Sequence, residues 1–256
     1  MGIKCVGRFG TIAIVVTALA ARPAPAQTDD ANKILKEMSD YLERQKNISA
    51  SFDSDFELIT SQVQKLQFAS SGHFEMSRPD KLHLIRTGGH SDVEIILDGK
   101  MATVYGKHIN GYVQGDASGS VDQIVNRLRM ALPGADLLAS NIYDAVIPDV
   151  ISGVHMGRGV IDGVECEHLA FRSKYTDWQI WIQLGDRPLP RKYVVTSRPM
   201  AAAPQYTVVL KDWKTDAQPS ADAFVFTPPP GSQQLDIKEL SRFDDVPPEV
   251  VNRGQN

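Results

Sequence analysis

The fold class is decided by the stretch Ile48-Ser49-Ala50-Ser51-Phe52-Asp53-Ser54-Asp55-Phe56-Glu57-Leu58. Apolar side chains alternate with hydroxyl or acidic ones along it, with Ser54 the one exception on the apolar side. The period is two, whereas a helix repeats about every 3.6 residues. This pattern predicts a β-strand with one dry and one wet face.

The strand pattern continues outward from this stretch. A second alternating run covers 66–76, and Ser77-Arg78-Pro79-Asp80 turns the chain into a third at 82–86. Asp98-Gly99 and Asp162-Gly163 each predict a two-residue hairpin turn, because both turn positions need φ > 0 and Asp-Gly tolerates it well. Further strands are predicted at 93–97, 101–105, 155–161, 164–171, 178–184, 193–197, 206–213 and 224–227.

Two segments have helical spacing instead. Residues 29–43 place Ile34, Leu35, Met38 and Leu42 on one face, with acids at the start that suit the helix dipole. Ser120 and Gln123 form a capping-box pattern that opens a helical insertion over 120–146. These apolar helix faces need a surface to cover, so we predict an α+β protein with a single curved antiparallel sheet whose concave face is covered by helices.

The N-terminus has the three parts of an export signal. Lys4 and Arg8 precede an apolar run at 11–21, and Ala24-Pro25-Ala26 supplies small residues for a signal peptidase. The alternative is a membrane anchor, but the run is shorter than the roughly 20 residues that span a bilayer. Cys5 precedes the run and is not placed to carry a lipid. We predict cleavage before Gln27 and a periplasmic mature protein without a stable membrane span.

Composition limits the remaining classes. We predict a signal peptide at 1–26, one domain at 27–233 and a loosely ordered tail at 234–256, which is rich in Pro, Gln and acids. The formal net charge is −4, and the signal removes bases but no acids, so the exported part disfavours nucleic acid and anionic membranes. Only Cys166 remains after cleavage, so no intramolecular disulfide is expected.

Three stretches carry a resemblance to a known family. They are Gly163-Val164-Glu165-Cys166-Glu167-His168-Leu169-Ala170-Phe171, Asp177-Trp178-Gln179-Ile180-Trp181-Ile182 and Pro188-Leu189-Pro190-Arg191-Lys192. With them, most of the mature chain resembles an uncharacterised family of predicted periplasmic bacterial proteins, a domain of unknown function. That family is similar to the superfamily of the lipoprotein carriers LolA and LolB, and the ending Phe224-x-Phe226-x-Pro228-Pro229-x-Gly231 is similar too. The resemblance implies a LolA-like half-barrel, whose carriers hold acyl chains, but no carrier residue maps onto this chain.

Catalytic and metal chemistry have weak signals. Cys166 and His168 lie two apart on one strand face, the minimal arrangement of a thiol beside a base, but no third group orients them. His83 and His168 are the histidines that could meet across a sheet, and no pair has a recognised metal-ligand spacing. Glu165 and Glu167 share a face that we interpret as a wet one. We therefore predict no enzyme activity, no catalytic residues, no metal site and no cofactor.

The expected function is non-enzymatic binding of a hydrophobic ligand, such as an acyl chain, a lipid or a lipoprotein, in the half-barrel. The alternative is an envelope scaffolding or sensory module that binds a protein partner and has no ligand cavity. A lining and a filled core look alike in sequence, and cavity volume distinguishes them. The predicted hydrophobic lining is Phe52, Phe56, Phe68, Phe74, Met76, Trp178, Ile180 and Ile182.

Overall fold

The computed structural model describes residues 25–128, 135–139, 141–215, 218–220, 222–243 and 246. In this part of the chain the helices are α1 Pro25–Glu43, α2 Val121–Leu128 and α3 Ile142–Val146, with 3-10 helices at Lys107–Ile109, Ala135–Leu138, Ile147–Asp149 and Ile237–Phe243. The strands are β1 Asn47–Ile59, β2 Lys65–Ser77, β3 Lys81–Gly88, β4 Asp92–Asp98, β5 Met101–Gly106, β6 Gly111–Asp116, β7 Val150–Ile161, β8 Val164–Ser173, β9 Thr176–Gln183, β10 Pro190–Ser197, β11 Gln205–Lys214 and β12 Gln233–Gln234.

All of these strands form one unclosed sheet in the order β12-β6-β5-β4-β3-β2-β1-β11-β10-β9-β8-β7. Every neighbouring pair is antiparallel except the short β12–β6 pair. The first strand therefore lies in the middle, and the β1–β11 pair is the single seam between two meanders. The predicted single antiparallel sheet with covering helices is confirmed.

The connection from β6 to β7 explains why the helices lie where they do. These strands follow one another in sequence but lie near opposite ends of the sheet order, since only β12 lies beyond β6. Ten strand spacings of about 4.8 Å amount to roughly 50 Å in a flat sheet. The described parts of this connection, 117–128, 135–139 and 141–149, lie on one face of the sheet, where Ala117, Val121 and Ile142 are buried in the core.

The main core lies between the helices and one face of the sheet, here called the inner face. Helix α1 contributes Ala31, Leu35, Met38 and Leu42, each at most 1 % exposed, in the spacing that the sequence predicts. Opposite them lie inner-face residues from both meanders. They include Ile48, Ala50, Phe52, Phe74, Met76, Trp178, Ile180, Ile182, Val208 and Leu210.

Several boundaries differ from the prediction. Helix α1 begins at Pro25 rather than at residue 29, so the predicted cleavage point before Gln27 lies in its first turn, and the acids lie beyond that turn. The capping box is confirmed: the Gln123 amide donates to Ser120 Oγ at 3.3 Å, and the Ser120 amide donates to Gln123 Oε1 at 3.2 Å. Strand β6 was missed, since its glycines interrupt the alternation.

The two predicted hairpin turns have different conformations. Asp162 and Gly163 both have positive φ, 47° and 78°, as predicted. At the first turn, β4 ends at Asp98 and the loop is Gly99-Lys100, with φ of 96° at Gly99. The prediction was wrong by one residue there because the Asp98 carboxylate accepts from the Lys100 and Met101 amides at 2.8 and 2.7 Å, which fixes it outside the loop.

The C-terminal segment wraps around the β6 edge. The predicted strand at 224–227 was wrong: Phe226 instead lies against Tyr105 and Tyr112 on the outer face, and the prolines that follow cannot donate to a ladder. Strand β12 then pairs with β6, and the helix Ile237–Phe243 turns onto the inner face, where Phe243 is buried with Val93 and Val113. Most of the predicted tail beyond Phe243 lies outside the described residues.

Candidate functional site

A row of facing residues runs across seven strands on the inner face. Strand register pairs each member directly with the next, from β2 through β1, β11, β10, β9 and β8 to β7. Directly opposed antiparallel residues share a face and lie within side-chain contact. The members are Phe68, Phe56, Tyr206, Val195, Trp178, Phe171 and Gly153, and we call this set the aromatic row.

The two ends of the aromatic row have different environments. At one end Phe171 and Trp178 stack with their ring centroids 4.1 Å apart, and both are buried in the core. At the other end Phe56 and Phe68 stack at 5.1 Å, are half-buried and do not belong to the core cluster. Tyr206 lies beside this pair and is only partly buried. The row therefore leads from the packed interior to an accessible apolar surface.

The eight residues of the predicted lining fall into two groups. Six of them are packed in the core and are at most 8 % exposed: Phe52, Phe74, Met76, Trp178, Ile180 and Ile182. The other two, Phe56 and Phe68, form the accessible pair. Sequence reasoning missed Phe171, Val195 and Tyr206 because only the register between distant strands places them in the same row.

Two cavities lie near these residues. One of about 170 Å³ lies between α1 and the sheet, where Ile34 and Glu37 face Glu167 and Ile182. The other, of about 320 Å³, is a groove on the outer face that includes Val154, Ala170 and Gln179. Pockets that bind drug-sized ligands have volumes of roughly 300–1,000 Å³. The inner cavity is smaller than this, so the helices would have to move for an acyl chain to enter.

The thiol of Cys166 is not activated by a base. Its Sγ lies 3.4 Å from the Val164 carbonyl oxygen, while His168 stacks on Trp181 and pairs with Gln179 Oε1 at 3.0 Å. Burial raises the pKa of the Cys166 thiol, whereas a nucleophile needs a lowered one. The arrangement gives no support to a hydrolase that uses Cys166.

The histidines are distributed over different parts of the sheet. His83 and His168 do not meet, because β2, β1, β11, β10 and β9 lie between their strands. His83 pairs with Glu94 and His155 pairs with Glu167, each at 2.7 Å. Among the residues that the structure describes, no three His, Cys, Asp or Glu side chains gather as a metal site requires.

Glu165 and Glu167 do not share one environment, so the wet-face interpretation was wrong for Glu167. Glu165 lies near the start of β8 and is exposed to solvent. Glu167 lines the cleft under α1 and is 22 % exposed at its side chain, since the helix covers that part of β8 and His155 pairs with its carboxylate. Sequence periodicity does not reveal which part of a strand a helix will cover.

No helix within the described ranges is long and apolar enough to cross a membrane. No curated protein matches the sequence. Solved structures with similar folds include an uncharacterized conserved protein from Thermus thermophilus, with a TM-score of 0.50 and 11% identity over 81% of this chain and 99% of that one. This similarity supports the fold alone.

Two further solved structures have lower scores. LprF from Mycobacterium bovis has a TM-score of 0.48 at 11% identity, over 75% of this chain and 96% of its own. A LolA superfamily protein from Nitrosomonas europaea has a TM-score of 0.34 at 10% identity, over 77% and 97%. Sequence comparison is more direct, because one family profile matches residues 31–238. The chain therefore belongs to the family described as predicted periplasmic protein (DUF2092).

Proposed function

We propose that this protein is exported to the periplasm, loses residues 1–26, and binds a hydrophobic or acylated ligand on the inner face of its half-barrel without catalysing a reaction. The observation that carries the proposal is the aromatic row. It joins the accessible pair Phe56–Phe68 to the core residues under the helices. Burial of apolar surface, at about 25 cal/mol per Å², would supply the affinity.

Ligand uptake in this proposal has two stages. An apolar chain first contacts Phe56, Phe68 and Tyr206, which form the partly exposed end of the aromatic row. It then displaces the helices and takes their place against residues such as Trp178 and Phe52. The filled core supports this order, because these two side chains are only 4 % and 8 % exposed before a ligand enters.

The test uses 1-N-phenylnaphthylamine, a neutral fluorescent apolar probe, with Phe68→Glu as the variant. We expect this substitution to weaken probe binding at least tenfold, since it replaces an aromatic contact worth about 1.5–3 kcal/mol with a charge. Titration of the mature protein at fixed probe concentration measures the change. Gln67→Glu is the matched control, because it adds the same charge one residue away on the outer face.

The comparison must be made between folded proteins. Circular dichroism and thermal unfolding check this for both variants. Equal binding by wild type and Phe68→Glu would exclude the aromatic row as the site. Absence of binding by the wild type, together with a bare mass in native mass spectrometry of protein from the envelope, would exclude the ligand-binding function.

A second function, an envelope scaffold or sensor that binds a protein partner, is supported by the edge strand β7. Its apolar side chains Ile151, Met156 and Val160 are 68 %, 58 % and 63 % exposed. A partner retained on affinity isolation, released by Met156→Asp and accompanied by no extracted lipid, would favour this function over the first.

A further inference from the structure

Three hairpin turns lie side by side at one end of the sheet, and we call them the loop end. They are the turns at 60–64 between β1 and β2, at 174–175 between β8 and β9, and at 198–204 between β10 and β11. The six strands are neighbours in the sheet order. Register pairs Thr196 with Gln205 and Ser197 with Thr176, so the ends of β9, β10 and β11 lie at the same level.

Hydrogen bonds hold these turns next to one another. The Arg198 amide donates to the Tyr175 carbonyl oxygen at 3.0 Å, and the Arg198 guanidinium donates to the Ser173 carbonyl oxygen at 3.0 Å. On the other side, the Gln205 amide donates to the Glu57 carboxylate at 2.8 Å and so connects the start of β11 to β1. The loop end is therefore one connected part of the molecule.

The turn between β10 and β11 carries an exposed apolar run. Pro199-Met200-Ala201-Ala202 are all exposed, and Ala203 and Pro204 continue the apolar sequence. Met200 is 54 % exposed. Three or four consecutive exposed apolar residues are unfavourable on a water-facing surface unless they have a function. None of these side chains has an N–H or O–H donor, so the run is suited to an apolar environment.

The other two turns each expose one large apolar side chain. Val63 and Tyr175 are both 59 % exposed. Val63 also has a φ of 61°, a left-handed conformation that strains a β-branched residue and that asparagine or glycine adopts more easily. Strained residues of this kind cluster at functional sites. Neither burial nor backbone preference explains a valine at this position, so its apolar side chain indicates a function.

Cations outnumber anions at the loop end. The segments 57–67, 172–177 and 196–207 contain Lys65, Arg172, Lys174 and Arg198 against Glu57 and Asp177. Lys174 Nζ lies 4.9 Å from the ring centre of Tyr175, so a cation flanks the exposed aromatic side chain. The net charge of the chain is −4 and disfavours an anionic membrane, so any attraction to one has to come from this local excess. Exposed apolar and aromatic side chains beside Lys and Arg are typical of surfaces that lie among lipid head groups.

We infer that the loop end is a peripheral membrane contact, in which Val63, Tyr175 and Met200 insert among lipid head groups while Lys174 and Arg198 lie beside anionic ones. A bilayer fits these residues better than a folded protein does, because the apolar side chains lie on three separate turns with charged residues between them. The core of a protein interface is depleted of charge instead. This inference goes beyond the proposed function, which concerns the inner face.

Flotation with lipid vesicles tests the inference. The mature protein should bind vesicles that contain phosphatidylglycerol more tightly than vesicles of phosphatidylcholine alone, and high salt should reduce the difference. Met200→Asp should weaken binding to both kinds of vesicle about tenfold, because it places a charge where an apolar side chain inserts. Lys174→Gln should weaken binding to the anionic vesicles roughly fivefold and leave binding to the neutral ones unchanged.

Met156→Asp is the matched control, since Met156 is similarly exposed, at 58 %, but lies halfway along the edge strand β7. It should leave vesicle binding unchanged. Val63→Asn separates membrane binding from folding. This variant should bind vesicles about fivefold more weakly, yet unfold at the same temperature as wild type or a higher one, because asparagine tolerates a positive φ. If Val63 had only a structural role, its replacement would not change vesicle binding.

The outcomes separate this inference from the proposed function. Wild type that binds neither kind of vesicle, or equal binding by wild type and Met200→Asp, would overturn the membrane contact. A second copy or another protein that binds wild type and is released by Met200→Asp, without vesicle binding, would assign the loop end to that partner instead. Met200→Asp should still bind 1-N-phenylnaphthylamine, because the aromatic row is unchanged. Wild type that binds vesicles but not this probe would contradict the proposed function alone.

Discussion

Glu94 shows how a single side chain links the stability of this fold to pH. Its carboxylate accepts from His83 Nε2 at 2.7 Å across the outer face, and this hydrogen bond lowers the pKa of Glu94 below the ordinary 4.5. A carboxylate with a lowered folded pKa adds stability above its unfolded pKa. That stability is lost as the pH falls through the folded pKa.

We therefore expect Glu94→Gln to change the acid limb of the stability curve. Between about pH 7 and pH 3 the wild type should lose about 1 kcal/mol more free energy of unfolding than the variant, because only the wild type has this carboxylate to protonate. Urea unfolding at a series of pH values measures the difference. Glu165→Gln, near the start of β8, is the control, and parallel curves for wild type and Glu94→Gln would contradict the expectation.

At the scale of residues, the predictable part of the site was the list of apolar positions and their common face. Alternation identified Phe56 and Phe68 as facing the same way as Phe52, and register confirms it. It did not predict that Phe52 is buried in the core while Phe56 and Phe68 are half-buried and lie outside the core cluster.

At the scale of elements, α1 and α3 are joined by a small polar contact in the core. The buried Ser39 hydroxyl donates to Asn141 Oδ1 at 3.1 Å and accepts from the Tyr143 amide at 3.0 Å. Asn141 Oδ1 also accepts from the Asp144 amide at 3.0 Å and so caps α3. The two helices are therefore connected through one shared acceptor.

This contact predicts coupled losses of stability. Asn141→Ala should lower the free energy of unfolding by about 1 kcal/mol, since it removes a helix cap. Ser39→Ala should cost a similar ~1 kcal/mol, because it leaves the Tyr143 amide without its acceptor. The double variant should cost less than the sum, as expected for residues in contact. Additive losses in chemical denaturation would show that the helices are held independently; Ser152→Ala, exposed on β7, is the control.

Strands and helices were predicted correctly where the hydrophobic period and the turn residues indicated the same structure. They were predicted incorrectly where a contact between distant parts of the chain decides the conformation. The strands around Asp162-Gly163 are one example of agreement. The segment 224–227 is the opposite case: its alternating phenylalanines predict a strand, but tertiary contact of Phe226 with Tyr105 and Tyr112 holds it across the outer face. Local sequence contains no information about that docking partner.

The edges of the sheet are protected in two ways that sequence alone did not reveal. Strand β12 pairs with the edge of β6 that has no other neighbouring strand in the sheet order. On the other edge, β7 has register shifts between Val150 and Ser152 and between His155 and Gly157. The residues within these bulges, Ile151 and Met156, are exposed. Bulges disrupt the regular ladder that another strand would need, so they limit edge-to-edge association.

At the scale of the whole molecule, the strand order could not be read from the sequence. Hairpins predicted the two meanders, but nothing local indicates that β1 pairs with β11, about 150 residues away in the chain. The predicted single curved sheet did not specify this pairing. The same arrangement predicts which parts move when a ligand enters, because the seam is paired on both sides while the helices rest on the inner face.

Hydrogen exchange tests whether the helices move while the β1–β11 pair stays in place. With saturating 1-N-phenylnaphthylamine, amides in α1 and α3 should exchange faster than in the free protein, since the ligand takes the place of their apolar contacts. Amides of β1 and β11 should keep their protection, because their ladder is not disturbed. Faster exchange at the seam, or slower exchange throughout the helices, would mean that ligands bind without displacing the cover.

In the proposed mode of binding, the long connection between β6 and β7 also limits the size of the ligand. It connects two strands near opposite ends of the sheet, and its described parts pack on the inner face between them. Lifting the helices off the sheet and moving the ends of the sheet apart are therefore coupled movements. The length of residues 117–149 limits both of them. The size of ligand that can bind then depends on the length of this segment. Lengthening the segment would admit bulkier molecules and shortening it would exclude them, with no change to any residue that touches the ligand.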